Sequence, residues 1–271
     1  MTVDVEDYFQ VSAFESTVNR SDWEGMPHRV EENTNRILDL FSELNVKATF
    51  FMLAWVAERY PKLVRRIVDE GHELASHGYE HIRVTQQTAD LFRDDVIKTK
   101  HLLEDMSGVE IKGYRAASYS IGRGNLWAID VLAETGHKYS SSIYPIKHDL
   151  YGMPEAPRFA FNHEGSGLLE IPITTVSLAN KKLPCGGGGF FRLFPYAYSR
   201  WAINRINTKD KQSALFYFHP WEIDVEQPRF ENAPWKSRFR HYLNLNKMEG
   251  RLKCLMRDFD WGRMDKIFLE K

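Results

Sequence analysis

Seven short apolar runs alternate with stretches of helical spacing, and this alternation constrains the fold more than any other feature of the chain. The runs are "TVDV" (2–5), "KATFFML" (47–53), "HELAS" (72–76), "IKGYRAA" (111–117), "KYSSSIY" (138–144), "GLLEIPITTV" (167–176) and "ALFYFHP" (214–220). Among them "TNRILDLFSELN" (34–45) places apolar residues at 37, 38, 40, 41 and 44, one stripe of a helix. "PKLVRRIVDEG" (61–71) opens on a proline suited to a first helical turn and closes on a glycine suited to a stop. "TADLFRDDVIKTKHLLEDMSG" (88–108), "NLWAIDVLAETG" (125–136) and "YAYSRWAINRIN" (196–207) also read as helices. Strands interleaved with helices predict an α/β fold with a parallel sheet and crossover helices, either closed into a barrel or wound open.

No internal repeat, linker or low-complexity tract divides the chain, so residues 1–271 are expected to form a single domain, with a C-terminal extension from about 230. A hydrophobic content of 43% supplies a sizeable core and excludes disorder. The net charge of -1 gives no global field for nucleic acid or an anionic membrane. Cys185 and Cys254 have no CxxC spacing and make no disulfide framework. The opening "MTVDVEDYFQ" does not look like a signal peptide, and "ATFFMLAWVA" is too short to span a bilayer. A cytoplasmic protein is the expectation, acting if need be at the inner face of the membrane. Two long connections, 9–32 and 145–166, read as functional or lid-like loops.

In parallel α/β folds the site forms at the carboxyl ends of the strands. There the sequence places Asp4, Glu6 and Asp7 after the first strand, and His77 and His81 after the third. Arg115 lies in "YRAAS", Glu170 in "LLEIP" and His219 at the end of "LFYFH". Two imidazoles and a carboxylate make a divalent metal site, zinc first, with cobalt, nickel or manganese as alternatives. "HELASH" is one residue too long for HExxH, so the pair is His77 and His81, with Gly78 letting the chain bend. Taken alone, HxxxH is as well explained by a solvated turn. Asp4, held close to the core, suits a general base. The third ligand is Glu6 or Asp7. Asp4 and Glu6 share a face if the strand continues, whereas a turn at the strand end favours Asp7. Arg115 reads as the partner that keeps Asp4 ionised, against the plainer reading of a surface ion pair. His219 reads as a general acid, against that of a core histidine, and needs a carboxylate to raise its pKa, Glu170 or Asp224.

The ordered set "TVDVED", "SHGYEH", "GYRAAS" and "FHPWEID" resembles the polysaccharide deacetylases, the NodB-like metal-dependent carbohydrate esterases, and in particular a branch associated with exosortase and exopolysaccharide biosynthesis. The resemblance implies a distorted (β/α)7 barrel. It implies Asp4 as base, His77 and His81 as metal ligands, Arg115 as tether of the base and His219 as acid. Val5 stands where the family's metal-binding acid usually follows the base, and Ala116 and Ala117 replace its proline pair. The implied reaction is hydrolysis of N-acetyl groups on hexosamine units of a bacterial polysaccharide or its lipid-linked precursor. A backbone N–H at Ser118 or Tyr119 would hold the oxyanion, with Trp221 and Tyr144 stacking on sugar rings. The glycines of "GGGGFF" (186–191) either allow a close approach over the cleft or form a plain turn. The alternatives are a C–N hydrolase of a small cyclic amide or ureide on the same scaffold, and a sugar-binding barrel without catalysis.

Overall fold

The computed structural model describes residues 1–148 and 151–270. In chain order the elements are β1 (Thr2–Val5), α1 (Val30–Glu43), β2 (Thr49–Met52), α2 (Ala54–Arg59), α3 (Pro61–Asp69), β3 (Glu73–Ser76), α4 (Ala89–Ser107), β4 (Gly113–Tyr114), α5 (Trp127–Glu134) and β5 (Tyr139–Ser140). They continue with β6 (Phe161–Asn162), β7 (Leu169–Glu170), β8 (Thr175–Leu178), β9 (Lys181–Pro184), α6 (Gly188–Leu193), α7 (Tyr196–Arg205), β10 (Tyr217–Phe218), α8 (Trp235–Tyr242) and α9 (Leu245–Asp258). Local signals set several boundaries. Thr88 caps α4 by accepting the Leu91 N–H, and Gly108 ends that helix at φ +72°.

The main sheet runs β10-β1-β2-β3-β4-β5-β7-β6, parallel throughout except for β6 at the edge. It curls into a distorted (β/α)7 half-barrel. No ladder joins β7 to β10 among the described residues. The segments that follow β7 and precede α6 bridge that gap: Leu215 N–H donates to Thr174 Oγ1 (2.6 Å) and Tyr217 N–H to the Gly186 carbonyl (2.8 Å). Expected as one strand, "GLLEIPITTV" is two. Pro172 has no N–H for a ladder, so the chain leaves the sheet after Glu170 and resumes in the β8–β9 hairpin. "IKGYRAA" shortens to a residue pair in which Gly113 is required, because a Cβ there would lie 2.2 Å from the Tyr139 ring.

Outside the sheet, Val3, Phe41, Phe50, Phe216 and Phe218 form one core with Leu245, Met248, Leu252 and Leu255 of α9. Each such side chain contributes roughly 1.5–3 kcal/mol by leaving water. The segment beyond 230 therefore packs on the same core as β1. No helix of the described residues is long and apolar enough to cross a membrane.

Register decides what faces the barrel interior. Successive strand residues alternate faces, and parallel pairing aligns Asp4 with Phe51 and Phe51 with Ala75. Carrying the rows one or two residues past the strand ends puts Glu6, His77, Arg115, Ser141 and His219 in the same phase as Asp4. Val5, Asp7 and Glu170 have the opposite phase.

Candidate active site

Two of these in-phase residues, Asp4 and Arg115, form a buried ion pair through Oδ1 and the guanidinium. Arg115 is fully buried, and three more of its donors are taken. It donates to Thr2 Oγ1 (2.9 Å), the Ser141 carbonyl (3.2 Å) and Ser141 Oγ (3.1 Å), and it lies 3.9 Å from the Phe51 ring centroid. A guanidinium so fixed leaves Asp4 one orientation. The phenol of Tyr119 donates to the other oxygen, Asp4 Oδ2 (3.3 Å).

Glu6, His77 and His81 each aim one ligand atom at a common point, all within 4.8 Å of one another and all buried. His77 reaches it from the end of β3. Its Nδ1 is engaged by the Arg115 carbonyl (2.8 Å), which leaves Nε2 for a ligand. His81 returns on a loop that uses positive φ at Gly78 (+77°) and at His81 itself (+52°). A side chain at 78 would also meet Asp95 Oδ2 at 3.1 Å. Burial pulls His77 down to about 4 and His81 well below the usual imidazole range, so both rings are neutral at pH 7. Glu6 is pushed up to about 8, by burial first, and its Oε2 accepts no hydrogen bond although His81 Nε2 lies 3.1 Å away. A buried carboxylate oxygen without a donor, facing two neutral imidazoles, is the donor set of a divalent cation.

His219 stands opposite, with Nε2 3.2 Å from Glu6 Oε1 and 4.0 Å from Asp4 Oδ2. Its Nδ1 is 2.8 Å from Glu222 Oε1, and Glu222 Oε2 accepts from the Arg192 guanidinium (2.7 Å). Burial alone would lower the His219 pKa, but Glu6, Glu222 and Asp4 together outweigh it and raise it to about 9. Around these groups opens a cleft of about 410 Å³, to which the loop after β1 contributes Val11, Ser12 and Ala13 and the loop after β5 contributes His148 and Tyr151. Residues 149 and 150 of the expected lid loop lie outside the described residues.

The family described as polysaccharide deacetylase matches residues 22–140, and a domain family of unknown function, DUF3473, matches 141–269. The match to the polysaccharide deacetylases thus covers the part of the chain that carries β2 to β5. A peptidoglycan-N-acetylglucosamine deacetylase of Bacillus cereus is 38% identical over 100 residues, 36% of this chain and 36% of that protein. The match thus spans about a third of the relative's length. In fold, the chain is similar to a protein of Mycobacterium smegmatis assigned to the polysaccharide deacetylases (TM-score 0.62, 19% identity, 98% of this chain and 87% of that one). It is as similar to the PuuE allantoinase (TM-score 0.61, 15% identity, 98% and 87% covered).

Within this scaffold several sequence expectations need correction. Asp7 does not face the imidazoles. In the phase opposite to Asp4, it accepts the backbone N–H groups of Tyr8, Arg29 and Val30 and thereby caps α1, so Glu6 and not Asp7 clusters with His77 and His81. Glu170 is also out of phase. It accepts the N–H groups of Ser142 and Ile143, which anchors the loop that grips Arg115 rather than His219. Asp224 pairs with Arg29 and Asn33. Tyr144 is fully buried against Tyr119 and Tyr151 and does not line the cleft. Trp221 does line it, with the rings of His219 (5.1 Å) and His241 (3.9 Å) stacked on the indole. Ser118 lines the cleft with its hydroxyl on Ser12, while the Tyr119 N–H is taken by the Ala116 carbonyl (3.0 Å).

Sequence reasoning missed Glu222 and Arg192. "HPWE" carried a signal: a proline at the first helical position and an acid three residues after the histidine, the spacing of a capping box. Arg192 carried none, since its partner is 30 residues away. The glycine run belongs to this arrangement. A Cβ at Gly188 would sit 2.2 Å from Glu222 Oε1, so only glycine lets α6 close on that carboxylate.

Proposed function

We propose that the chain is a divalent-cation-dependent N-deacetylase that removes acetyl groups from hexosamine units of a bacterial polysaccharide or its lipid-linked precursor. One observation carries this reading: a cation-type donor set, a tethered carboxylate and a protonated imidazole share one cleft. Glu6, His77 and His81 would hold the cation, zinc before cobalt, nickel or manganese, and it would supply Lewis acidity.

The remaining chemistry belongs to the chain's own groups. Asp4, kept an acceptor by Arg115, takes a proton from the attacking water. His219, kept a donor by Glu222, delivers a proton to the amine nitrogen as the C–N bond breaks. Because Asp4 Oδ2 and His219 Nε2 lie 4.0 Å apart, both reach one reacting carbon. The amide and water become a free amine and acetate. Buried tyrosines around Asp4 and Arg115 limit stray water, with Tyr119 and Tyr217 both at the cleft wall.

Acetate release from defined N-acetylglucosamine oligomers, measured with and without chelator beside a panel of small cyclic amides and ureides, tests the proposal. Chelator-sensitive acetate from the oligomers is the expected result. Turnover of the cyclic compounds alone would replace it with the allantoinase-like reading, which the shared fold leaves open.

A further inference from the structure

A second hollow of about 370 Å³ lies beside the catalytic cleft, lined by Arg229, Trp235, Arg238, Phe239, Tyr242 and Leu243. Phe239 and Leu243 also line the cleft, so the two hollows are neighbours. Trp235 and Phe239, four residues apart on one face of α8, are 71% and 53% exposed. Exposure of that size on two large rings side by side marks a binding surface. Charge identifies what binds. Of the cations in this segment, Arg229 and Arg238 line the hollow, and Arg238 pairs with Glu231 (2.6 Å), which leaves Arg229 to meet a ligand. Arg229 lies over the Tyr242 ring (4.9 Å to the centroid), and the phenol of Tyr242 is itself held by the Phe230 N–H (2.9 Å). A guanidinium held over a ring keeps its N–H donors for a carboxylate.

We infer that this groove is a distal subsite for an anionic sugar of the same polymer whose acetamido group reaches the cleft, a uronate being the simplest case. The inference rests on the proposed deacetylase reading and narrows its substrate class to acidic glycans. Aromatic rings meet the C–H face of the sugar, and Arg229 takes its carboxylate. A hollow neighbouring the cleft favours a polymer strand over a lipid surface.

The experiment compares a hyaluronan hexasaccharide, in which glucuronate alternates with N-acetylglucosamine, with chitohexaose of equal length. Both are assayed with the full chain and with the R229Q/W235A double variant. The wild-type chain is expected to show a KM about tenfold lower for the acidic oligomer, the difference shrinking as salt rises. The variant, altered only at exposed positions, should raise that KM about tenfold with kcat unchanged, and should move chitohexaose less than about twofold. Equal wild-type KM values, or equal losses on both oligomers, would overturn the subsite. So would a variant defect confined to phosphatidylglycerol vesicles, which would make α8 a membrane contact. Calorimetric binding of the hyaluronan hexasaccharide in chelator reads the groove without turnover. Arg229-dependent binding with no acetate release would sink the deacetylase reading alone, and acetate release without such binding would sink the subsite alone.

Discussion

Two carboxylate–imidazole groups face each other across the cleft, built from the same residue types with opposite electrical outcomes. On one side Glu6 meets His77 and His81, and burial holds both rings neutral. On the other Glu222 meets His219, and the ring is held protonated to about pH 9. Glu6 raises the His219 pKa first, and a further difference lies behind the rings. For His77 the Asp4 charge and the Arg115 carbonyl behind the ring favour a proton, but burial, with the nearby guanidinium, outweighs them. His219 is backed by a carboxylate that Arg192 keeps ionised, its pKa lowered despite burial. Imidazole charge here is thus set by all that surrounds the ring, and the proposed function uses the neutral rings as ligands and the charged one as proton donor.

The most direct way to break this comparison is His77→Ala. Removing a neutral ligand should abolish bound metal by mass spectrometry and lower turnover on the order of a thousandfold or more. Asp4→Asn comes next, with a loss on the order of 10²–10⁴-fold at unchanged metal content, because it removes a proton acceptor and no ligand. If the Asn variant also lost metal, Asp4 would belong to the cation side of the cleft.

How much of this was legible beforehand follows the same division. β1, β2 and β3 are regular four-residue strands that could be read from the runs "TVDV", "KATFFML" and "HELAS". Asp4, His77 and His81 were therefore found from the sequence, and Arg115 with them. The Glu6-or-Asp7 choice turned on one residue of register, which inverts the facing of a side chain. What tipped the choice was the distant N-terminus of α1, whose free N–H groups draw Asp7 outward. α1 itself starts at Val30, four residues before its apolar stripe suggested, for the same reason. The support of His219 comes from two- to six-residue elements joined by loops, where periodicity has nothing to act on. Pairings such as Arg192 with Glu222 are made only by folding.

Glu222→Gln sharpens the proton-donor side. Losing this anion removes part of what raises the His219 pKa, so the ring gives up its proton at lower pH. Because the protonated ring is the active form, the alkaline limb of the pH–rate profile should move to lower pH, with a loss on the order of tenfold to a hundredfold near pH 8. A cation would neutralise much of the Glu6 charge, so Glu222 should matter more in the loaded enzyme. Arg192 also loses its buried anion, and Tm should fall with it. An unchanged pH profile beside a lowered Tm would leave Glu222 as structure only.

The smallest effect is expected at Asp7, and it tests the register argument most narrowly. Asp7→Ala removes a carboxylate that accepts three backbone N–H groups, two of them at the start of α1. Stability should drop by about 1–2 kcal/mol, read as a lower urea midpoint, while metal content and kcat stay near the wild-type values. Asp7→Asn keeps one acceptor oxygen and should cost less. Glu6→Gln should do the reverse, sparing the helix and weakening the metal, because its carboxylate faces the imidazoles and caps nothing. Had the third ligand been Asp7, the two variants would exchange phenotypes, and the in-phase row from Asp4 through Glu6 to His77 would not be the wall on which the cation sits.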